Sequence, residues 1–214
     1  MQRLVLFDLD RTLIDLGSAF GLWAEEFAET HRLGSDAVAW LKEIDHVTHP
    51  HREAFFSNVR EHFQLLTPVE ELWAEYRRRM PYLVKPYPGV LDELAQLRIL
   101  GWKVGIVTNG TADNQLGKLR QTGLAEAVDG YAVSGVEGIR KPEVGLFEIA
   151  AKRCGLSLAG GGWMVGDNLT ADIEGGRNAG LRTIWVDHGT WPGKEHRADH
   201  VVGNVAEAFA HLRP

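Results

Sequence analysis

The sequence contains few of the residues that build disulfides, metal clusters of cysteine, or membrane spans. It has one cysteine, Cys154, among 214 residues, which excludes an internal disulfide and a zinc site made of cysteines. Cys154 falls within an apolar helical pattern, which favours a small buried side chain. No apolar run approaches the ~20 residues needed to cross a bilayer, so we expect no membrane partner.

Basic charge is also in short supply. The chain has 23 Lys and Arg against 29 Asp and Glu, a formal net charge of −6. Proteins that bind nucleic acid usually concentrate basic residues on one face, so we expect no nucleic-acid partner. The first apolar run is short and ends in acidic residues, which is not typical of a signal peptide. Together with the single cysteine, this predicts a cytoplasmic protein.

Short apolar runs alternate with helical patterns over much of the chain, which predicts an α/β fold with a doubly wound, Rossmann-like parallel sheet. The helices between these runs are predicted over 89–100, 113–122, 143–153, 170–179 and 204–212. The predicted strands are Leu4–Phe7, Lys103–Val107, Gly130–Val133, Gly162–Val165, Arg182–Val186 and His200–Val202.

Residues 16–83 have a different pattern, in which aromatic and aliphatic residues recur at helical spacing among many charges. This predicts four amphipathic helices, over 18–31, 35–44, 52–64 and 68–79. A proline-rich segment follows at 85–89. We therefore expect a core domain formed by 1–15 and 84–214, with 16–83 inserted as a separate helical domain.

Polar residues follow four of the predicted strands, and ligands in open α/β sheets bind beyond the carboxyl ends of the strands. Carboxylates crowded at one edge repel one another unless a cation lies between them, and oxygen ligands suit Mg²⁺. A lysine, a threonine hydroxyl and backbone N–H groups would hold phosphate oxygens. These residues are Asp8, Asp10, Thr108, Asn109, Gly110, Lys141, Asp167, Asn168 and Asp172.

Four segments, in this order, resemble the motifs of the haloacid dehalogenase-like (HAD) superfamily. The segment 8–12, DLDRT, resembles its DxDxT signature, and 107–110, VTNG, resembles its second motif. Lys141-Pro142 resembles the third motif, and Gly166-Asp167 with Asp172 the fourth. The resemblance covers nearly the whole chain, and the insert at 16–83 resembles the α-helical bundle cap of one subfamily.

The resemblance implies a Mg²⁺-dependent phosphatase that acts on a small phosphorylated metabolite. Asp8 would attack phosphorus, and Asp10 would protonate the leaving group and then activate water. Asp8, the backbone carbonyl of Asp10 and Asp167 would hold the metal. Thr108, Asn109, Gly110 and Lys141 would bind the phosphoryl group.

The roles of three further residues are less clearly implied. Asp172 is expected to lie beside the residues that bind the metal, where it would orient a metal-bound water or Lys141. Asn168 either caps the following helix or lies near the metal. Arg11 occupies a position where the family often has glycine, and the sequence assigns it no role.

Other functions share parts of this pattern. A haloacid dehalogenase has no use for Asp10, and a phosphonatase needs a lysine in the cap, where the insert has only Lys42. A sugar phosphomutase would share every core motif. A receiver domain places its acceptor aspartate after a middle strand and lacks the insert, and a binding protein without activity would not need the full motif set. The substrate is left open, and so is the choice between monomer and homodimer.

Overall fold

The computed structural model describes residues 2–48 and 51–213. The chain separates into two compact units. One combines Met1–Asp15 with Lys85–Pro214, and the other is Leu16–Val84. Among the described residues no helix is both long enough and apolar enough to cross a membrane.

The first unit contains a six-stranded sheet in which every pair of neighbouring strands is parallel. This confirms the predicted α/β class. The strands are β1 Leu4–Phe7, β2 Lys103–Thr108, β3 Gly130–Val133, β4 Trp163–Gly166, β5 Arg182–Val186 and β6 His200–Val202. β2 ends one residue later than predicted, and β4 both begins and ends one residue later. The strand order in the sheet is β3-β2-β1-β4-β5-β6.

The strand order reverses between β1 and β4. From β1 the chain builds outwards through β2 and β3, and from β4 it builds in the other direction through β5 and β6. Such a reversal opens a crevice at the carboxyl ends of the two central strands, where ligands bind in doubly wound sheets. The residues that follow β1 and β4 therefore meet at this point.

Successive side chains of the central strand alternate between the two faces of the sheet. Leu4 and Leu6 belong to a buried cluster that includes Phe147. On the other face, the ring of Phe7 lies 5.3 Å from that of Phe209. Burying each such side chain contributes about 1.5–3 kcal/mol, so both faces hold the central strand in place.

The helices of the first unit lie close to their predicted positions. One departs from the prediction: 170–179 is not one α-helix, but a π-helical turn over Leu169–Glu174 that leads into a short α-helix. A 3₁₀ turn covers Leu158–Gly160. The α-helices are α5 Val90–Ile99, α6 Ala112–Gln121, α7 Leu124–Ala127, α8 Ser134–Glu137, α9 Val144–Arg153, α10 Gly175–Asn178 and α11 Val205–Leu212.

The second unit consists of helices packed around aromatic rings. The indole of Trp23 lies 5.0 Å from the ring of Tyr76, and Phe55 lies 4.9 Å from Phe56. The last helix runs four residues beyond its predicted end and includes buried Pro81. The helices are α1 Leu16–Thr30, α2 Ala37–Thr48, α3 Arg52–His62 and α4 Val69–Leu83.

Candidate active site

Asp8 is the first residue after β1, at the point where the strand order reverses. Its backbone N–H donates to the carbonyl of Val165 at 2.8 Å, which continues the pairing of β1 with β4 by one residue. Asp167 follows β4 directly. The parallel register therefore brings the carboxylates of Asp8 and Asp167 together, as the sequence predicted for residues at the ends of adjacent strands.

Lys141 reaches this point from the loop between α8 and α9. Its Nζ lies 2.5 Å from Oδ1 of Asp8 and 2.6 Å from Oδ1 of Asp172. Its side chain is 2% exposed. Burial by itself would lower the pKa of Lys141, but the charges of Asp172 and Asp8 outweigh burial and raise it. Lys141 is therefore a fixed positive charge beside the Asp8 carboxylate.

Three carboxylates lie closely together here. Asp8, Asp167 and Asp172 each offer an oxygen within 4.8 Å of the others. Burial raises the pKa of Asp8 to about 7, and Asp172 and Asp10 add to that effect against the opposing charge of Lys141. Burial, followed by the charges of Asp8 and Asp172, also raises the pKa of Asp167 well above its ordinary value. Burial and the neighbouring carboxylates thus disfavour the ionised forms of Asp8 and Asp167.

This donor set fits a hard divalent cation. The cluster offers only oxygen atoms, and oxygen is the ligand atom that Mg²⁺ and Ca²⁺ take. A cation between the carboxylates would offset both the burial and the mutual repulsion that raise their pKa values. The cluster at Asp8, Asp167 and Asp172 is therefore a candidate metal site.

Asp10 lies two residues after Asp8 and makes contacts that the sequence did not reveal. Nζ of Lys118 lies 2.7 Å from Oδ1 and 2.9 Å from Oδ2 of Asp10, and Nε2 of Gln115 donates to Oδ2 at 3.0 Å. Both partners come from α6 and are buried. The sequence does contain one indication of these contacts. The segment 112–121 has only two leucines, so the buried face of this helix has to include polar side chains.

The second motif supplies a network of hydrogen bonds. The hydroxyl of Thr108 is buried and accepts from Nε2 of Gln115 at 2.6 Å, which leaves its own proton available for donation. The side chain of Asn109 bonds twice with the backbone of Lys141, at 2.9 and 3.0 Å. Asn109 therefore holds the loop that carries Lys141 in position.

Gly110 differs from its expected use as an N–H donor to phosphate. Its N–H donates to Oγ of Ser134 at 2.9 Å, because α8 packs close to this turn. A Cβ at Gly110 would lie 2.7 Å from Cγ of Gln115. The glycine therefore makes room for the side chain that contacts both Thr108 and Asp10.

The two alternatives for Asn168 are separated by its contacts. Its Oδ1 accepts from the N–H groups of Thr170 and Ala171 at 3.1 and 2.9 Å, so the side chain caps the π-helical turn. Asp172 lies one turn later, where its Oδ2 accepts from the N–H of Asn168 at 2.9 Å and its Oδ1 contacts Lys141. Asp172 thus orients the lysine.

Arg11, to which the sequence assigned no role, lies beside the acidic cluster. Its Nε is 3.2 Å from Oδ2 of Asp167, and its Nη2 donates to Oγ1 of Thr190 at 2.9 Å. Its carbonyl lies 2.6 Å from Nε2 of His188. Arg11 has φ 61°, in the left-handed region, and this conformation directs the guanidinium towards Asp167.

The chain matches known proteins over most of its length. Residues 2–180 match the family model described as haloacid dehalogenase-like hydrolase. A glyceraldehyde 3-phosphate phosphatase from Methanopyrus kandleri is 31% identical over 218 aligned positions, which cover 93% of this chain and 90% of the relative. A phosphoserine phosphatase from Thermus thermophilus is 37% identical, over 66% of this chain and 55% of its own length.

A solved structure is similar over the whole chain. The HAD-hydrolase YfnB from Bacillus subtilis, bound to magnesium, superposes with a TM-score of 0.84. The two chains are 26% identical, and the match covers 100% of this chain and 99% of YfnB. The similarity in sequence and in structure therefore extends over the sheet, the inserted helices and the candidate site.

Proposed function

The chain belongs to the haloacid dehalogenase-like hydrolase family, and we propose that it is a Mg²⁺-dependent phosphatase. In this proposal it hydrolyses a small phosphomonoester through an aspartyl-phosphate formed on Asp8. The observation that carries the proposal is the position of Asp8, beside buried Lys141 and within the cluster that includes Asp167 and Asp172. A lysine charge and an acidic cluster around one carboxylate are what transfer of a phosphoryl group to that carboxylate requires.

The first step would transfer the phosphoryl group from substrate to protein. A carboxylate oxygen of Asp8 attacks phosphorus, and the bond between phosphorus and the ester oxygen breaks with its electron pair going to that oxygen. Asp10 gives the ester oxygen a proton, so that the product leaves as an alcohol. Lys141 and the Thr108 hydroxyl supply positive charge and a donor to the phosphoryl oxygens.

The second step would restore the protein. Asp10, now a carboxylate, accepts a proton from water while the water oxygen attacks phosphorus. The bond between phosphorus and the Asp8 oxygen then breaks, and inorganic phosphate leaves. The contacts of Asp172 and Asn109 to Lys141 hold that lysine in one place through both steps.

The oxygen donors suit Mg²⁺, held by Asp8, the carbonyl of Asp10 and Asp167, with Asp172 beside them. When bound, the ion would neutralise negative charge on the phosphoryl group and on the carboxylates that surround it. The magnesium-bound structure of the similar YfnB supports this choice of metal.

The substrate class we propose is a small phosphorylated metabolite. Relatives that match the chain over much of its length act on glyceraldehyde 3-phosphate and phosphoserine, which both carry one phosphoryl group on a short polar carbon chain. The single thiol, Cys154, is buried and free, which fits a reducing compartment. We accordingly propose that the enzyme acts in the cytoplasm.

We further propose that Leu16–Val84 is a cap domain that selects the substrate. Its compact aromatic core and its insertion between β1 and the rest of the sheet support this role. Exchanging this segment for that of a relative with another substrate is expected to change the order of preference among substrates but not the requirement for Mg²⁺. Unchanged preference in a folded chimera would argue against a selecting role.

The proposal is tested by phosphate release. We expect the protein to release phosphate from p-nitrophenyl phosphate and from members of a panel of sugar, amino-acid and nucleoside phosphates, with Mg²⁺ and not with EDTA. Asp8→Asn should reduce the rate by about 10³-fold or more, because the amide is no nucleophile. Asp92→Asn, an exposed aspartate on α5, is the matched control and should retain activity.

A bisphosphate requirement would instead indicate a phosphomutase, since that reaction primes the aspartate with a second phosphoryl group. No release from any substrate by folded protein with Mg²⁺ present would overturn the phosphatase proposal. Activity that survives Asp8→Asn would assign the nucleophile to another residue.

A further inference from the structure

Lys118 is a buried cation whose partner is the proposed acid and base. Its side chain is 3% exposed, and its Nζ contacts both carboxylate oxygens of Asp10. A buried ammonium is costly unless a counter-charge faces it. A lysine on the exposed side of a helix keeps its ammonium in water and avoids this cost. The burial of Lys118 against Asp10 therefore indicates a role in the candidate active site.

Gln115 lies one turn before Lys118 on α6, on the same face of the helix. Its Nε2 donates at 3.0 Å to Oδ2 of Asp10 and at 2.6 Å to Oγ1 of Thr108. A primary amide has two N–H groups, so both are used. Gln115 thus fixes the distance between the proposed proton donor and the hydroxyl proposed to bind the phosphoryl group.

The two oxygens of Asp10 are not equivalent. Among side chains in the described part of the chain, Oδ2 accepts from Lys118 and from Gln115, whereas Oδ1 accepts only from Lys118. A carboxylate oxygen has two acceptor positions. One position on Oδ1 is therefore left for the proton that passes to the leaving group and returns from water.

We propose that Lys118 and Gln115 are positioning residues that hold the Asp10 carboxyl group with Oδ1 directed to the leaving oxygen. This rests on the proposed phosphatase function and adds to it two residues outside the four family motifs. Proton transfer requires a donor within hydrogen-bond reach in the reacting geometry. A displacement of about 1 Å at such a group costs on the order of 100-fold in rate, so two buried contacts that fix its rotation have a direct catalytic consequence.

A structural role for Lys118 would predict a different pattern. If the lysine only stabilised the packing of α6, its loss would slow the reaction of all substrates to the same degree. A positioning role slows mainly those substrates whose leaving group must be protonated. The dependence of the rate on the leaving group therefore separates the two explanations.

The experiment compares wild-type protein, Lys118→Met, Lys118→Arg and the control Lys152→Met, an exposed lysine on α9. The quantity measured is kcat/KM for p-nitrophenyl phosphate, phenyl phosphate and an alkyl phosphate, because it reports the step in which the leaving group departs. For Lys118→Met we expect a loss of about 100-fold with the alkyl ester. The loss with p-nitrophenyl phosphate, whose phenolate leaves without a proton, should be about threefold or less.

Lys118→Arg should restore most of the alkyl-phosphate rate, since a guanidinium also bonds to both oxygens of a carboxylate. Lys152→Met should resemble the wild type with every substrate. Gln115→Met, measured in the same series, should show the same selective loss to a smaller degree.

Equal losses of Lys118→Met across the three substrates, or no loss, would overturn the positioning role. If Lys118→Met does not fold, as judged by circular dichroism and a melting curve, the Gln115→Met series decides the question by the same criterion. If the wild type releases no phosphate, the proposed phosphatase function is contradicted. This outcome is distinguished from failure of the positioning role, because it is seen in the wild type before any variant is compared.

Discussion

Nε of Arg11 lies 3.2 Å from Oδ2 of Asp167. The guanidinium, which lies in the loop after β1, therefore faces a carboxylate that we propose as a metal ligand. The side chain of Asp167 is 15% exposed and that of Arg11 is 32% exposed. The guanidinium partly neutralises the acidic cluster while no metal is bound. A metal ion held by Asp167, as proposed above, would therefore compete with Arg11 for this carboxylate.

Arg11→Gly and Arg11→Asn are expected to bind Mg²⁺ more tightly than the wild type. Both substitutions remove the competing charge, and both residues tolerate the φ of 61° at this position. An ion pair with this exposure contributes up to about 1 kcal/mol, so the dissociation constant should fall by about two- to fivefold. Isothermal titration calorimetry with Mg²⁺ measures it without any turnover.

Arg11→Lys is the matched control, because it keeps the charge and should keep an affinity near that of the wild type. Weaker binding in both uncharged variants would mean that Arg11 supports the metal site instead of competing with it. Its contacts to Thr190 and His188 would then be the reason, since they connect the first loop to the segment after β5.

The sequence was sufficient for the architecture and for the motif residues. Each strand is a short apolar run, and a parallel sheet places the residues after these runs on one edge whatever the details of packing. The amino-acid pattern alone therefore predicts that Asp8, Lys141 and Asp167 lie together. The positions of the strand ends were correct to within one residue.

The missed residues depend on geometry that the one-dimensional pattern does not contain. Lys118 and Gln115 reach Asp10 only because α6 is rotated so that this face points to the first loop, and rotation about a helix axis is set by packing. The break in 170–179 arises because Asn168 and Asp172 bond to nearby N–H groups. Such local bonds compete with the regular helix.

The stability of the metal-free protein should depend on pH through Asp8. Burial raises the pKa of Asp8 from 3.8 to about 7, so between about pH 4 and pH 7 the folded state binds more protons than the unfolded state. The stability from this group is fully present below pH 4 and is lost as the pH rises through 7. In EDTA, urea titrations should show a free energy of unfolding that falls from about pH 5 to pH 7.5.

Asp8→Asn isolates this contribution, because an amide does not titrate. The variant should lose less stability than the wild type over the same pH range. Mg²⁺ should reduce the wild-type loss, since the ion binds the deprotonated carboxylates of the folded state. Parallel pH profiles for wild type and Asp8→Asn in EDTA would show that Asp8 is ionised throughout.

Gly166, the last residue of β4, leaves the space that Asp172 occupies. A Cβ at Gly166 would lie 2.4 Å from Cγ and 2.5 Å from Cβ of Asp172. The Asp172 carboxylate cannot yield easily, because Lys141 holds one oxygen and the N–H of Asn168 the other. Gly166→Ala should therefore displace Asp172 and lower kcat/KM by about 10- to 100-fold.

A double-mutant cycle distinguishes this clash from a general loss of stability. In an Asp172→Gly background both the carboxylate and the Cβ that obstruct the new methyl group are absent, so adding Gly166→Ala should cost little more. Gly34→Ala, where an added Cβ meets nothing within 4 Å, should leave the rate unchanged. Additive losses in the cycle would show that Gly166 acts independently of Asp172, whereas a strong interaction confirms that the glycine is required to keep Asp172 on Lys141.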